Sequence, residues 1–378
     1  PIRQREEVRM TVEEALRANP FTPVFGKVPP FMAGREAIIE TMVSAFESNG
    51  NSPDLCSIFV GARGTGKTAL LTYLSHEAQQ HGWITADVTA SSDMLDDILQ
   101  RCRESAAHLT APQPTRRLTG VEIAPIGGLS WENVPSAPGN WRTQMNTLFE
   151  QLANTDTGVL ITVDEVDPSL AEMAQLATTY QHFVREGRKA ALLMAGLPHR
   201  IFALLSGKST SFLRRAARHD LGPIPRYEVE ETFRLTVESA GKSIEDEALL
   251  AAVEAIDGFP FMLQLVGYRS WNSAGSSDVI GAEDVRRGIR LAREELGDRI
   301  LGATLSELSK GDLAFLYAMA EDETDTARAD LTARLGRTSS YVSSYKKRLL
   351  EAGVIEEPRP GVFKFALPGF REYLLEHA

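Results

Sequence analysis

The chain of 378 residues is 43% hydrophobic and 24% charged, a balance that supports ordinary cores in two or three domains and excludes disordered, collagenous and coiled-coil compositions. Its 51 acidic and 40 basic residues give a net charge of −11, which argues against a protein that coats nucleic acid over its whole surface and leaves room for a local basic patch. The longest apolar runs, such as 159–163 and 190–197, fall far short of the roughly 20 residues that span a membrane.

In chain order, the charged opening at 1–9 has no apolar core behind it, so no secretory signal is expected. A short helix is expected over 11–19. The prolines of 21–30 then exclude regular structure. Gly34-Arg35-Glu36 opens an amphipathic helix to about Ser48. From Asp54 to about Pro223, apolar runs of strand length (56–60, 83–88, 159–163, 190–195) alternate with helical segments, the pattern of a parallel sheet with covering helices. Between helices near 93–108 and from Trp141, the alternation and glycines of 118–131 predict an inserted β-hairpin, which touches a partner or DNA or is a packing flap. Cys56 and Cys102 have neither metal-binding nor disulfide-framework spacing, and a reducing, cytoplasmic setting is expected.

After about Pro225 the strands are expected to stop. Helical spacing takes over, as in Leu249, Val253 and Ile256, and in Val285, Ile289, Ala292 and Leu296. From Leu305, helical stretches at 310–320, 327–335 and 338–352 precede two short apolar strands separated by Pro358-Arg359-Pro360-Gly361, which describes a winged helix-turn-helix.

The run 56–60 leads directly into Gly61-Ala62-Arg63-Gly64-Thr65-Gly66-Lys67-Thr68-Ala69, a Walker A pattern followed by an apolar helix. Glycines at 61, 64 and 66 let consecutive N–H groups turn inward on phosphate oxygens, and the helix N-terminus adds partial positive charge. Lys67 is placed to reach the β- and γ-phosphates, and the Thr68 hydroxyl to ligate Mg²⁺. The bland alternative is a glycine-rich turn with a coincidental Lys-Thr; a strand before and a helix after weigh against it. The second motif, 159–165, is a Walker B strand ending in adjacent carboxylates. Asp164 suits Mg²⁺ through a water, and Glu165 suits polarisation of the attacking water. Alone, such a pair is usually a solvated turn. Below the Walker A loop it specifies an α/β P-loop nucleoside triphosphatase with ATP or ADP bound.

Together these motifs resemble an AAA+ ATPase of the origin-recognition and archaeal initiator-like group, with features shared by the STAND signalling ATPases, over about residues 20–378. The resemblance implies an N-terminal extension (1–30), an AAA+ nucleotide-binding domain (31–223), an α-helical lid (224–304) and a winged helix (305–378). It sets the Gly34-Arg35-Glu36 box beside the adenine, with Phe31 and Met32 as neighbours of the base. Gly258-Phe259-Pro260 resembles the GxP element that brings the lid onto the nucleotide, which makes Gly258 and Pro260 nucleotide-binding candidates; by itself the tripeptide is a helix boundary. The family pattern is broken at Gly196, where a polar sensor such as Asn is expected, and slow hydrolysis follows. Arg214 or Arg215, with Arg218 close by, falls where initiator ATPases carry an arginine finger. That implies an ATP-dependent homo-oligomer; a solvent-facing basic helix is the equal alternative.

In the C-terminal module Arg328, Arg334, Arg337, Lys346, Lys347 and Arg348 stand against Asp330. Helical spacing puts Val342, Tyr345 and Leu349 on one face of the candidate recognition helix and Ser340, Ser343, Ser344 and Lys347 on the opposite one, with Arg359 at the wing tip. Hydroxyls and a lysine are donors suited to phosphates and base edges. The resemblance implies double-stranded DNA as the partner of an ATP-controlled switch. A STAND-like signalling ATPase whose winged helix contacts protein is the alternative, and a small-molecule kinase is disfavoured because no substrate domain accompanies the lid.

Overall fold

A computed structural model describes residues 18–24, 26–110, 140–306 and 308–377. Nearly all of the helix expected over 11–19, and the hairpin expected at 118–131, lie outside the described residues. The chain divides into two compact units, one of Ala37–Val60 and Leu70–Asp220, the other of Pro1–Glu36, Gly61–Ala69 and Leu221–Ala378.

The first unit is built on five parallel strands: β1 (Cys56–Val60), β2 (Trp83–Thr89), β3 (Gly158–Asp164), β4 (Ala190–Gly196) and β5 (Ala217–Asp220), in the order β2-β3-β4-β1-β5. The apolar runs read from the sequence are these strands, unbroken because helices cover both faces: β4 is buried throughout, and β3 until Asp164. On the edge, β5 alternates between half-buried and exposed residues. Since all five strands run the same way, the ends of β1, β3 and β4 share one edge of the sheet, where α/β folds bind ligands. Phe149 and Phe183 meet edge-on at 4.9 Å beneath the sheet helices.

The second unit carries four longer helices, Arg226–Ser239, Asp246–Ile256, Pro260–Ala274 and Ala282–Leu296. The expectation that strands stop near Pro225 is corrected here: β6 (Ser243–Ile244) and β7 (Val279–Ile280) pair in parallel, two residues each and too short to leave a periodic signal. Phe21, in the proline-rich opening, is buried against Phe233 at a ring separation of 5.0 Å and rests on Gly267, where a Cβ would meet its ring at 2.2 Å.

A π-helical turn, Gly297–Leu301, and a short helix, Gly302–Ser306, lead to the C-terminal module. Its helices Lys310–Ala320, Arg328–Leu335 and Ser339–Glu351 are followed by β9 (Ile355–Arg359) and β10 (Val362–Phe365), the order of a winged helix-turn-helix. Two elements were not anticipated. The dipeptide β8 (Thr326–Ala327) joins β10 and β9 in an antiparallel sheet of order β8-β10-β9, and a last helix spans Phe370–Glu376. Pro358 lies inside β9 and not between the strands; β9 is an edge strand, where a missing N–H is tolerated. Phe233, Leu263, Leu296, Phe315, Phe363 and Phe370 belong to one continuous hydrophobic core. No helix among the described residues is long and apolar enough to cross a membrane.

Candidate nucleotide site

After β1 the chain turns through the phosphate loop into the helix Lys67–Gln80. Gly64 and Gly66 take φ of +78° and +86°, values that L side chains avoid, so the loop can wrap only with glycine there. The Thr65 hydroxyl donates to Ala62 O at 2.9 Å. Lys67 Nζ donates to Gly61 O at 2.9 Å and Ala62 O at 2.7 Å, so the buried ammonium is held within the loop by carbonyls that flank its bend. Arg63 is exposed, and Thr68 and Ala69 are half-buried in the first turn of the helix.

The loop is matched by the Gly258-Phe259-Pro260 element. Gly258 has φ +70°; a Cβ there would fall 2.6 Å from Ile224 O, and its own carbonyl accepts from Ile224 N at 2.7 Å. Pro260 occupies the first turn of the helix Pro260–Ala274 and lies 3.8 Å from where a Cβ of Gly66 would stand. Phe259, left unassigned by the sequence, fills the space beside Gly64, where a Cβ would meet its Cε1 at 2.5 Å. The available signal was an aromatic side chain directly ahead of an N1 proline, outside the helix and in need of a cover.

The sequence motif sets Arg35 in a box beside the base. Its guanidinium instead donates to three backbone carbonyls: Gly34 O at 2.9 Å, Thr65 O at 3.3 Å and Gly222 O at 3.0 Å. Burial pulls its pKa below the usual arginine range, while Glu228 and Glu36 act through space in the opposite sense. Phe31 is exposed and Met32 half-buried.

In the sheet unit, Asp164 closes β3 and is half-buried; its Oδ1 accepts from Glu165 N at 2.8 Å, and its carbonyl accepts from Ala90 N at 3.0 Å. Glu165 is exposed with φ +52°, a left-handed conformation that a glutamate seldom adopts. The turn lets Val166 N donate to Ala195 O at 3.0 Å, tying the β3 end to β4. Gly196 ends β4 in a tight place: a Cβ would come 3.1 Å from Ile201 Cδ1 and 3.2 Å from Val166 Cβ. The absent sensor side chain therefore has a packing counterpart. Arg214 and Arg215 are exposed on the 3₁₀ turn Ser211–Arg215; Arg214 Nε donates to Leu205 O at 2.8 Å, and Arg218, within β5, pairs with Asp220 at 3.2 Å.

Three or more His, Cys, Asp or Glu side chains do not cluster anywhere among the described residues. Mg²⁺ takes one or two protein oxygens and completes its shell with phosphates and water. The Thr68 hydroxyl and the Asp164 carboxylate are donors of this hard-oxygen kind.

On the helix Ser339–Glu351, Ser340, Ser344 and Lys347 are exposed. Ser343 is not their equal: it is half-buried, accepts from Arg328 at 2.6 Å and donates to Ser339 O at 2.9 Å. Of the expected apolar face, Val342 and Leu349 are buried and Tyr345 half-buried. Carboxylates from other elements face the expected basic patch. Arg334 pairs with Asp322 at 2.6 Å and Glu321 at 3.2 Å, Lys346 with Glu357 at 2.9 Å, and Arg348 with the buried Asp312 at 2.7 Å. Arg337, Lys347 and Arg359 remain exposed; Lys347 is 3.8 Å from Glu351, and Arg359, at the end of β9, is 3.9 Å from Asp325.

A phosphate loop after an inner strand of a parallel sheet, with an acidic strand end two strands away in the sheet order, defines a P-loop nucleoside triphosphatase fold. Comparison with known proteins agrees: residues 32–195 match the family described as AAA ATPase domain, and residues 298–374 match a domain of unknown function, DUF8462. No curated protein sequence matches the chain. Among solved structures, the ORC2 protein of Aeropyrum pernix in its ADPNP–ADP complexes is similar, with a TM-score of 0.62 at 16% identity over 94% of this chain and 96% of that one. Its ADP form gives 0.55 at 16% identity over 93% and 95%. A Walker-type ATPase of Pyrococcus abyssi gives 0.66 at 15% identity over 91% and 96%. In fold, the chain is similar almost end to end to the ORC2 protein and to the Walker-type ATPase.

Proposed function

We propose that the protein is an ATP-binding AAA+ ATPase that acts as a nucleotide-controlled switch on double-stranded DNA. The observation that carries the nucleotide reading is the phosphate loop, with positive φ at Gly64 and Gly66 and Lys67 held among the loop carbonyls. In this reading Gly61 to Ala69 cradle the phosphates through backbone N–H groups, and Lys67 exchanges the carbonyls of Gly61 and Ala62 for the β- and γ-phosphates. Thr68 and, through water, Asp164 hold Mg²⁺, which when bound neutralises phosphate charge. Glu165 takes a proton from the attacking water. Gly196 offers no side chain to order that water, which supports slow turnover. Gly258 and Pro260 bring the lid (224–304) to the nucleotide, and the winged helix (305–378) follows. Arg214 or Arg215, both exposed, would serve the site of a second copy, which makes the oligomer ATP-dependent. DNA contacts fall to Ser340, Ser343, Ser344, Lys347 and Arg359. The setting is cytoplasmic, in keeping with free Cys56 and Cys102.

A second reading, a STAND-like signalling ATPase whose winged helix contacts protein, has support of its own in the carboxylates that face Arg334, Lys346 and Arg348. Fluorescence anisotropy with a random-sequence duplex across a salt series, with ATP, ADP or no nucleotide, separates the two. Binding that weakens with salt and with Lys347→Ala, and shifts with nucleotide, supports the DNA switch. Absence of duplex binding in every nucleotide state at low salt, from protein that still binds ATP, selects the signalling ATPase.

A further inference from the structure

We infer that Arg35 is a positioning residue that couples the phosphate loop to the lid: it reads the position of Thr65 and transmits it to the connector at Gly222. The inference rests on residues 61–68 being a nucleotide-phosphate loop. A guanidinium is a planar fork of fixed donors, and Arg35 uses it on carbonyls of three separate segments, its own box (Gly34), the middle of the loop (Thr65) and the connector that leads into the helix Arg226–Ser239 (Gly222). These acceptors are backbone atoms, so the bonds hold only while the three backbones keep their places. The side chain is 7% exposed, and a buried guanidinium left without acceptors is costly, so displacement of one backbone draws the others with it.

Thr65 lies between Gly64 and Gly66, the two positive-φ residues of the loop. Two residues beyond Gly222, Ile224 N donates to Gly258 O, and the space around Gly258 leaves no room for a Cβ. Phe259 then returns to the loop at Gly64. Thr65, Arg35, Gly222, Ile224, Gly258, Phe259 and Gly64 thus form a closed circuit through the hydrogen bonds of the Arg35 guanidinium, one backbone hydrogen bond, one ring contact and the short lengths of chain between them. Along this circuit a shift of Thr65 on phosphate binding is passed to the connector through Arg35.

The test is hydrogen–deuterium exchange on the full chain, with and without ATP and Mg²⁺, in the wild type, Arg35→Lys and Arg35→Ala. In the wild type, nucleotide slows exchange in peptides covering 61–69 and 221–225 together. Allosteric couplings run to about 5–150-fold, so in Arg35→Ala the nucleotide-dependent slowing at 221–225 falls by at least about fivefold while that at 61–69 persists. Arg35→Lys, a point charge that reaches fewer carbonyls, gives an intermediate response at 221–225. Full retention of the 221–225 response in Arg35→Ala overturns the coupling; if that variant does not fold, full retention in Arg35→Lys overturns it. Loss of the response at 61–69 as well in a folded variant also overturns it, since Arg35 then shapes the loop itself. No response to ATP anywhere in the wild type overturns the nucleotide reading, and the inference falls with it.

Discussion

Phe259 and Gly64 are packed so closely that the ring occupies the position of the side chain Gly64 does not have: a Cβ on Gly64 would stand 2.5 Å from Cε1 and 2.9 Å from Cζ. Gly64 also has φ +78°. Gly64→Ala therefore pays twice, about 1–2 kcal/mol for a left-handed alanine and a further share for the clash. Chemical denaturation should show that Gly64→Ala with Phe259→Ala is less destabilised than the sum of the single variants, because removing the ring relieves only the second term.

Lys67→Ala should abolish or strongly weaken ATP binding as followed by a fluorescent analogue. Glu165→Gln should retain binding and lower turnover by about 10²–10⁴, the usual scale for a lost general base.

Glu165 has a second, opposite signature. Its φ of +52° costs about 1 kcal/mol for a residue with a Cβ, so Glu165→Gly should raise the melting temperature while it removes hydrolysis. A lower melting temperature for Glu165→Gly would show that the conformation is not strained.

His219 on β5 stacks on Phe59 at 5.0 Å, with Nε2 3.4 Å from Ser57 Oγ. Burial lowers its pKa from 6.5, and Asp54 and Asp220 offset part of this. Below pH 6.5 the unfolded chain takes up a proton that the folded chain resists, so this contribution is complete above about pH 6.5 and shrinks as pH falls towards the folded value. The melting temperature should decline with acidification across that window, and His219→Phe, which keeps a ring beside Phe59, should decline less.

In the proposed DNA-switch reading, Arg334, Lys346 and Arg348 are closely paired within the protein, and the exposed Arg337, Lys347 and Arg359, the last two with carboxylates only at 3.8 Å and 3.9 Å, are the cations assigned to phosphates. For three contacts at about −0.9 each, the logarithmic salt dependence of duplex binding should have a slope near −3, and each of Arg337→Ala, Lys347→Ala and Arg359→Ala should reduce it by about 1. Arg334→Ala should leave the slope unchanged.

What the sequence made legible was whatever a short window contains. The strand runs, the Walker A and B strings and the helix order of the C-terminal module all lie in contiguous residues, and their bounds agree with the structure to within one or two positions at most of the ends. What it concealed depends on distance along the chain. The Arg35 bond to Gly222 spans 187 residues, and the carboxylates that neutralise Arg348 and Lys346 come from Asp312 and Glu357, outside the window in which charge was counted. Short elements were hidden for another reason: β6, β7 and β8 have two residues each, less than one period of strand alternation.

The core that runs from Phe233 through Leu296 to Phe315 and Phe370 has no seam at the lid's end. A reader hung on a flexible tether samples orientations by itself and is steered only by where the tether is anchored. In the proposed switch, a module whose interior is shared with the lid would have no such freedom and would travel as a rigid outrigger. There, a small rotation near Gly258 would be multiplied by the length of the arm, so the step taken by the helix Ser339–Glu351 would be set by leverage and not by diffusion.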